Sequence, residues 1–207
     1  WSALAQMPDD ECKVLSQLRV ALTGAAKMPE QVTNQLKDRF GLIVHEGYGL
    51  TESSPVVTTS VNGSHKVGSI GKPLQEVSLR LVDEHGDDAE EGDSGEIWVR
   101  GENVFAGYYN DQEATDRVLT ADGWLRTGDI AVKDADGDLF LVDRLKDLII
   151  VSGFNVYPAE VEQVLLAHSA IEQAAVVGVS HPHTGEAVRA YVVLHKGVHL
   201  DEESIIR

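Results

Sequence analysis

An α/β fold running into a strand-rich region, with a smaller α+β unit behind it, is what the order of the sequence predicts. Three observations carry this expectation. Leu18–Tyr48 reads as strand, small-residue turn, helix and strand, the pattern of a βαβ unit with both turns on one edge of a parallel sheet, where ligands usually bind. From Ser64 to Val142 the helical period disappears and strand-like alternation replaces it. A charged cluster, Asp143–Asp147, then interrupts the strands, and a helix and two further strands follow. Domain organisation follows from the same break: residues 1–142 in one unit, a hinge at 143–147, and a second unit at 148–207.

Taken in order, residues 1–17 read as part of an amphipathic helix with Leu4, Met7, Val14 and Leu15 turned to a core. Leu18–Leu22 alternates as a strand does, and Thr23–Ala26 (TGAA) is a turn of small residues. Pro29 opens a helix to about Phe40, a position proline favours, and Gly41 ends it. The apolar run Gly41–Val44 predicts a buried strand that ends in a turn.

Val77–Val82 and Glu96–Arg100 read as paired strands joined by an acidic, solvated loop, with Trp98 and Trp124 as core aromatics. Asn110-Asp111 caps a short helix to about Leu119. Ile130–Val142 is a hairpin turning through Asp134–Asp138; its glycine sits one aspartate early for a calcium loop and the distal glutamate is missing, so a plain turn is expected. Gly71-Lys72 is not a nucleotide-binding P-loop, because Pro73 stands where Ser or Thr is needed. Pro158 starts a helix with Val161, Val164 and Leu165 on one face, and Ala174–Val179 and Ala187–Leu194 are strands. His181 and His183 flank Pro182 and are read as loop residues rather than metal ligands.

Composition narrows the function. With 17 basic against 34 acidic side chains among 207 residues, the formal charge of −17 argues against nucleic acid and against broad attachment to anionic lipid. No apolar run approaches the roughly 20 residues of a membrane span, and the amino end carries neither a charged leader nor an apolar block. Cys12 is the single cysteine, which excludes a disulfide within the chain and points to a reducing, cytoplasmic setting. Peripheral contact with a membrane through a small local patch stays open, as does the oligomeric state.

The stretch His45–Pro55, HEGYGLTESSP, holds the densest chemistry. Glycines Gly47 and Gly49 let backbone N–H groups approach an anion. Tyr48 offers a stacking face, the Thr51 hydroxyl suits a phosphate, and Glu52 suits Mg²⁺. The alternative is an ordinary strand-end turn whose tyrosine packs in the core.

YGLTE (Tyr48–Glu52) resembles the core signature of the adenylate-forming superfamily, the acyl-CoA synthetases, luciferases and peptide-synthetase adenylation domains. GEIWVRGENVFAGYYN (Gly95–Asn110), GWLRTGD (Gly123–Asp129) and DRLKDLIIVSGFNVYPAEVE (Asp143–Glu162) follow in that family's order and cover nearly the whole chain. The resemblance implies that residues 1–142 are the carboxy-terminal part of a large adenylation domain, a βαβ edge and a distorted β-barrel, followed by a hinge and an incomplete small α+β domain. The wording SGFNVYPAEVE is most similar to fatty-acyl-CoA synthetases, and the joint from Asp143 to Ile150 carries no insertion of the kind seen in carrier-loading relatives.

The implied reaction joins a fatty acid to CoA at the expense of ATP, with Mg²⁺, through an acyl-adenylate. The implied site residues are Tyr48 stacking on adenine with Glu46, Gly47 and Gly49 beside it, and Gly24, Ala25 and Ala26 lining the adenine and acyl pocket. Thr51 meets phosphate and Glu52 holds Mg²⁺, the two catalytic positions. Asp129 accepts from the ribose hydroxyls, Arg144 reaches the ribose or the adenylate, and Lys146 sits at the hinge near the nucleotide. Ser152, Gly153 and Phe154 face the pantetheine channel of CoA. Carrier-protein loading and a non-catalytic nucleotide-binding module are the competing readings. Asp201–Arg207 reads as a cap and one or two turns of helix, and the family's Ser/Thr/Gly-rich phosphate loop and catalytic lysine segment belong before Trp1 and after Arg207; the chain is therefore expected to be an excised fragment unable to complete adenylation.

Overall fold

The computed structural model describes residues 1–8, 15, 17–61, 63, 65–199 and 201. Cys12, Val14 and the expected helix after Asp201 lie outside the described residues. The chain divides into two compact units, one made of Trp1–Thr127 and Ala131–Leu141, the other of Gly128–Ile130 and Val142–Arg207. No described helix is long and apolar enough to cross a membrane.

In the first unit, α1 (Ser2–Ala5) is a single turn, and the helix expected over residues 1–17 is interrupted at residues 6–8. The Arg39 guanidinium ties it down by donating to the carbonyls of Ala5 and Met7. Strand β1 (Ala21–Thr23) is also shorter than expected: Leu18, Val20 and Leu22 share the outward parity and are 45, 48 and 54% exposed, so only Ala21 turns into the core. Helix α2 (Glu30–Phe40) has Pro29 as N-cap and Gly41 as C-cap at φ +63°, where a glycine is favoured. Glu30 in its first turn and Lys37 and Arg39 in its last complement the helix dipole. Leu36 is fully buried and packs with Ala5, Leu15, Ala21, Met28, Leu42 and Val44.

Strand β2 (Val44–Tyr48) runs parallel to β1, pairing Ala21 with Val44 and Thr23 with Glu46. It does not stop where the apolar run stops. It continues through Gly47 because β3 (Thr58–Thr59) comes back antiparallel against it, pairing Gly47 with Thr59 and Tyr48 with Thr58. β4 (Lys72–Pro73) completes a four-stranded sheet in the order β1-β2-β3-β4.

Strands β5 (Ser78–Val82) and β6 (Ser94–Arg100) are antiparallel, as the alternation predicts. Helix α3 (Gln112–Val118) is capped by the Asp111 carboxylate, which accepts the Ala114 N–H at 2.9 Å. β7 (Leu125–Lys133) and β8 (Leu139–Arg144) complete a second four-stranded sheet, β5-β6-β7-β8; residues 128–130 and 142–144 of these strands count with the second unit. This sheet is open, with β5 and β8 as edges, rather than a closed barrel. Val57, Ile97, Val99, Ala131 and Leu139, together with Tyr48, Ile70 and Leu81, form its core.

Trp98 and Trp124 are not core aromatics: they interleave with arginines, Arg126 over Trp98 at 4.9 Å, Arg80 over both at 5.5 and 5.6 Å, and Arg100 over Trp124 at 4.6 Å. At Asp134–Asp138 the Asp134 carboxylate accepts the Asp138 N–H, and the Lys66 ammonium pins the turn by reaching Asp134 and Asp136.

In the second unit, β9 (Ile149–Val151) and β10 (Phe154–Val156) form a hairpin. Helix α4 (Pro158–Leu166) lies against β11 (Ile171–His181), which pairs with β12 (Gly185–Leu194) to give the sheet order β10-β9-β12-β11. Val176, Ile171 and Ile149 are buried here, whereas Val164, expected on the inner face of α4, is 74% exposed. His181 and His183 sit at the turn between β11 and β12, where Thr184 bonds His181 at 2.8 Å.

Candidate nucleotide and acyl-transfer site

The carboxyl ends of β1 and β2 lie side by side, so Gly24, Ala25 and Ala26 emerge next to Glu46–Tyr48 as the βαβ reading requires. Gly24 and Gly47 are close enough that a Cβ on Gly24 would sit 3.2 Å from the Gly47 carbonyl oxygen. Glu46 is 7% exposed, and its carboxylate accepts the Met28 N–H at 3.4 Å, tying the far end of the TGAA turn back to β2. Its own N–H donates to the Ser60 hydroxyl at 3.0 Å. Tyr48 is 8% exposed and belongs to the core under β5-β6-β7-β8, so packing accounts for most of its ring.

Gly49 has a reason the sequence did not disclose. A Cβ there would stand 1.7 Å from the Pro55 carbonyl oxygen. The glycine is needed for chain to pass chain, whatever else its N–H does. Between Gly49 and Pro55 the backbone makes a 3-10 turn, Thr51–Ser53, locked by Ser53: its hydroxyl accepts the Leu50 N–H at 3.1 Å and donates to the Leu50 carbonyl at 2.9 Å. Ser53 is fully buried, and this leaves Thr51 exposed and Glu52 half-buried on the outer side of the turn.

The segment Gly101–Asn110 grips that turn. Asn103 donates to the carbonyls of Ser53 and Val56 at 3.0 and 3.1 Å. The Phe105 N–H donates to the Glu52 carbonyl at 2.8 Å. The Tyr108 hydroxyl donates to Glu52 Oε1 at 2.6 Å, and loss of that proton beside a carboxylate is unfavourable enough to push the phenol up to about 12. Tyr108 and Asn103 carry no role in the sequence reading, although both lie in the GENVFAGYYN string that supported the resemblance. The string was visible; its target was not.

In the second unit, Asp129 and Arg144 meet each other: Arg144 Nε lies 2.9 Å from Asp129 Oδ1, with Asp129 nearly buried and Arg144 mostly exposed. Lys146 is exposed in the 3-10 turn Leu145–Asp147 and lines an open cavity of about 430 Å³. The cavity's carboxylates from Asp143, Glu162 and Glu186 accept backbone N–H groups of Ala159, Val176 and Ile150 at 2.9, 2.8 and 2.8 Å. Such an acid-lined hollow disfavours a phosphate. Ser152 and Gly153, at φ +51° and +85°, form the two-residue turn of the β9–β10 hairpin, and Phe154 leaves it with its ring 74% exposed.

Mg²⁺ bound with a nucleotide takes one or two carboxylates and completes its shell with phosphate oxygens and water. A single carboxylate on an accessible turn, Glu52, fits that donor set. Among the described residues no group of three or more His, Cys, Asp or Glu is arranged to hold a metal by protein ligands alone.

The geometry is an α/β edge followed along the chain by a small α+β unit, and comparison with known proteins identifies its class. The chain matches the family model described as AMP-binding enzyme over residues 1–109 and that of the AMP-binding enzyme C-terminal domain over residues 160–207. This chain belongs to the AMP-binding enzyme family. It is 48% identical over 179 residues to a long-chain-fatty-acid–CoA ligase of Yersinia pestis, covering 86% of this chain and 32% of the relative. It is 40% identical over 208 residues to a feruloyl-CoA synthase of an Amycolatopsis species, covering 100% of this chain and 42% of the relative. The crystal structure of ATP-bound MatB from Rhodopseudomonas palustris superposes with a TM-score of 0.89 at 35% identity, over 99% of this chain and 41% of that one. The chain thus spans 32 to 42% of the length of these relatives.

Proposed function

We propose that the protein containing this chain is an ATP-dependent acid–thiol ligase that converts a fatty acid to its CoA thioester. In the first step a carboxylate oxygen attacks the α-phosphorus of ATP, the bond to pyrophosphate breaks, and an acyl-adenylate forms. In the second the CoA thiolate attacks the acyl carbonyl and AMP leaves with the electron pair of the C–O bond. Charge neutralisation and positioning supply most of the first step.

The observation that carries this reading is the Thr51–Ser53 turn, which presents a hydroxyl and a carboxylate just beyond the carboxyl end of a parallel strand. In this reading Thr51 donates to phosphate, and Glu52 holds Mg²⁺, which would supply positive charge to the phosphates when bound. Glu46, Gly47, Tyr48 and Gly49, with Gly24 and Ala25, wall the adenine side. Asp129 accepts from ribose hydroxyls and is oriented for this by Arg144, its ion-pair partner. Residues 143–147 act as a hinge, with Lys146 near the nucleotide, and the Ser152-Gly153-Phe154 tip borders the path of the CoA thiol.

The fatty-acid assignment draws on the Yersinia relative's 48% identity; the feruloyl-CoA synthase at 40% makes aromatic acids the second substrate class. Full-length protein incubated with ATP, Mg²⁺ and CoA against graded fatty acids and hydroxycinnamates, with products identified by mass, tests it. Acyl-CoA from fatty acids over one range of chain lengths is the expected result. Acyl-adenylate that accumulates without reaching CoA would move the assignment to carrier loading, and no adenylate from any acid would leave a binding module. The 207 residues alone hold no Gly-rich phosphate loop and are proposed not to catalyse carboxylate-dependent ATP–pyrophosphate exchange.

A further inference from the structure

The GENVFAGYYN segment, Gly101–Asn110, has no part in the chemistry proposed above, yet Asn103, Phe105 and Tyr108 all reach the Thr51–Ser53 turn. Asn103 holds the backbone of that turn and the segment after it, through the carbonyls of Ser53 and Val56. The Phe105 N–H holds the Glu52 carbonyl, and the Tyr108 hydroxyl holds the Glu52 carboxylate at 2.6 Å. Glu52 is therefore gripped at both ends by one loop.

The loop is itself fixed. The Tyr108 N–H donates to the Thr115 hydroxyl at 2.9 Å, and that hydroxyl donates to the Asp111 carbonyl at 2.8 Å, which anchors Tyr108 to the first turn of α3. Gly107 lies so near Thr115 that a Cβ would come within 2.7 Å of its methyl group, so the approach is tight. The Tyr108 ring also packs edge-on to Phe105 at 5.0 Å. With its backbone held by Thr115 and its ring against Phe105, Tyr108 fixes the place of its hydroxyl, and the carboxylate follows it.

We propose that Tyr108 is a positioning residue for Glu52: its hydroxyl occupies Oε1 and turns Oε2 outward as the oxygen that meets Mg²⁺ on the nucleotide. The inference rests on the Glu52 assignment above. Carboxylates that ligate metals are commonly held by such an outer hydrogen bond, and removing it typically lowers metal affinity about 10-fold or more. Tyr108 touches neither substrate nor metal, so its effect is confined to the metal-dependent part of nucleotide binding.

The test uses full-length protein and its Tyr108→Phe and Glu52→Gln variants. ATP affinity is measured by calorimetry in excess Mg²⁺ and again in EDTA, and Mn²⁺ binding to the protein–ATP complex is followed by electron paramagnetic resonance. Tyr108→Phe keeps the ring on Phe105 and the backbone bond to Thr115, and a melting curve checks that the fold is retained. The expected result is a loss of about 10-fold in Mn²⁺ affinity and an equal loss in the Mg²⁺-dependent gain in ATP affinity, with affinity in EDTA unchanged. Glu52→Gln should lose more. If Glu52→Gln abolishes the metal-dependent gain but Tyr108→Phe leaves it unchanged or tighter, the positioning role is overturned while the Glu52 assignment stands. If neither variant changes it, the Glu52 assignment falls and takes this inference with it. A Tyr108→Phe loss that is equal in EDTA and Mg²⁺ marks a general structural role and overturns the proposal.

Discussion

Gly49 and Gly153 sit in two motifs that look alike in the sequence, a glycine beside an aromatic in each, and the structure uses them in opposite ways. Gly49 lies where β2 meets the chain returning through Pro55, and its missing side chain is the clearance between two backbones. Gly153 lies at a hairpin tip with nothing within 4 Å of where a Cβ would be; what it supplies is a φ of +85°. One glycine is required by packing and the other by conformation. A flexible-looking motif is therefore a different physical object at a buried edge and at an exposed turn, and only the first couples to a core.

This contrast can be broken by two alanine substitutions. Gly49→Ala is expected to cost about 3 kcal/mol, because a backbone carbonyl cannot swing aside as a side chain can. Gly153→Ala is expected to cost about 1 kcal/mol for the left-handed backbone alone, and Gly153→Asn less, since asparagine tolerates that region. The three tryptophans, Trp1, Trp98 and Trp124, all lie in the first unit, so their fluorescence in a urea titration reads the two cases apart. Gly49→Ala should lower the midpoint of the tryptophan transition. Gly153→Ala should leave it in place and instead speed amide exchange in β9 and β10. Equal effects of both on the tryptophan transition would mean that the tip packs as tightly as the edge, contrary to the distinction drawn here.

What could be read from the sequence follows the same division. Local signals were enough for α2, where proline and glycine bracket the helix, and for α3, where Asp111 caps. They were enough for the β5–β6 pair, whose strand-like pattern matches the antiparallel pairing found. They failed where a distant strand decides. β2 runs past its apolar stretch because Thr58–Thr59 pairs with Gly47 and Tyr48, and β1 begins at Ala21 because Val44–Glu46 offers it three partners. The tryptophans were misplaced for the same reason: hydrophobicity marks Trp98 and Trp124 for a core, but Arg80, Arg100 and Arg126 arrive from neighbouring strands to cover them. At the site, the chemistry of Thr51 and Glu52 was legible as residue types on a turn. The grip of Asn103 and Tyr108 was not, since it joins residues 47 to 56 positions apart, from Asn103 to Val56 and from Tyr108 to Glu52.

Between the packed glycine and the free tip stands a third kind of turn, Asp134–Asp138, which has a left-handed glycine of its own, Gly137 at φ +84°, and is held by charge as well. The Lys66 ammonium lies 2.7 Å from Asp136 and 3.5 Å from the buried Asp138, besides its contact with Asp134. Its hydrogen bonds to Asp134 and Asp136 raise its own proton affinity above the usual 10.5, and its bond to Asp134 holds that carboxyl below the usual 3.8. The two shifts have opposite consequences with pH. The lysine's contribution is complete below pH 10.5 and is lost as pH rises through its raised value; the aspartate's is complete above pH 3.8 and is lost as pH falls through its lowered value. Lys66→Met should therefore be less stable than the parent chain by a constant margin from about pH 5 to 10, and the margin should close outside both limits. Its size is expected to be the smallest of the three, because solvent screens the pair. A margin that stays fixed as the pH falls through the acid limit would show that the Asp134 carboxylate is not what Lys66 holds, and would take away the ground for setting Asp134–Asp138 apart from both glycines.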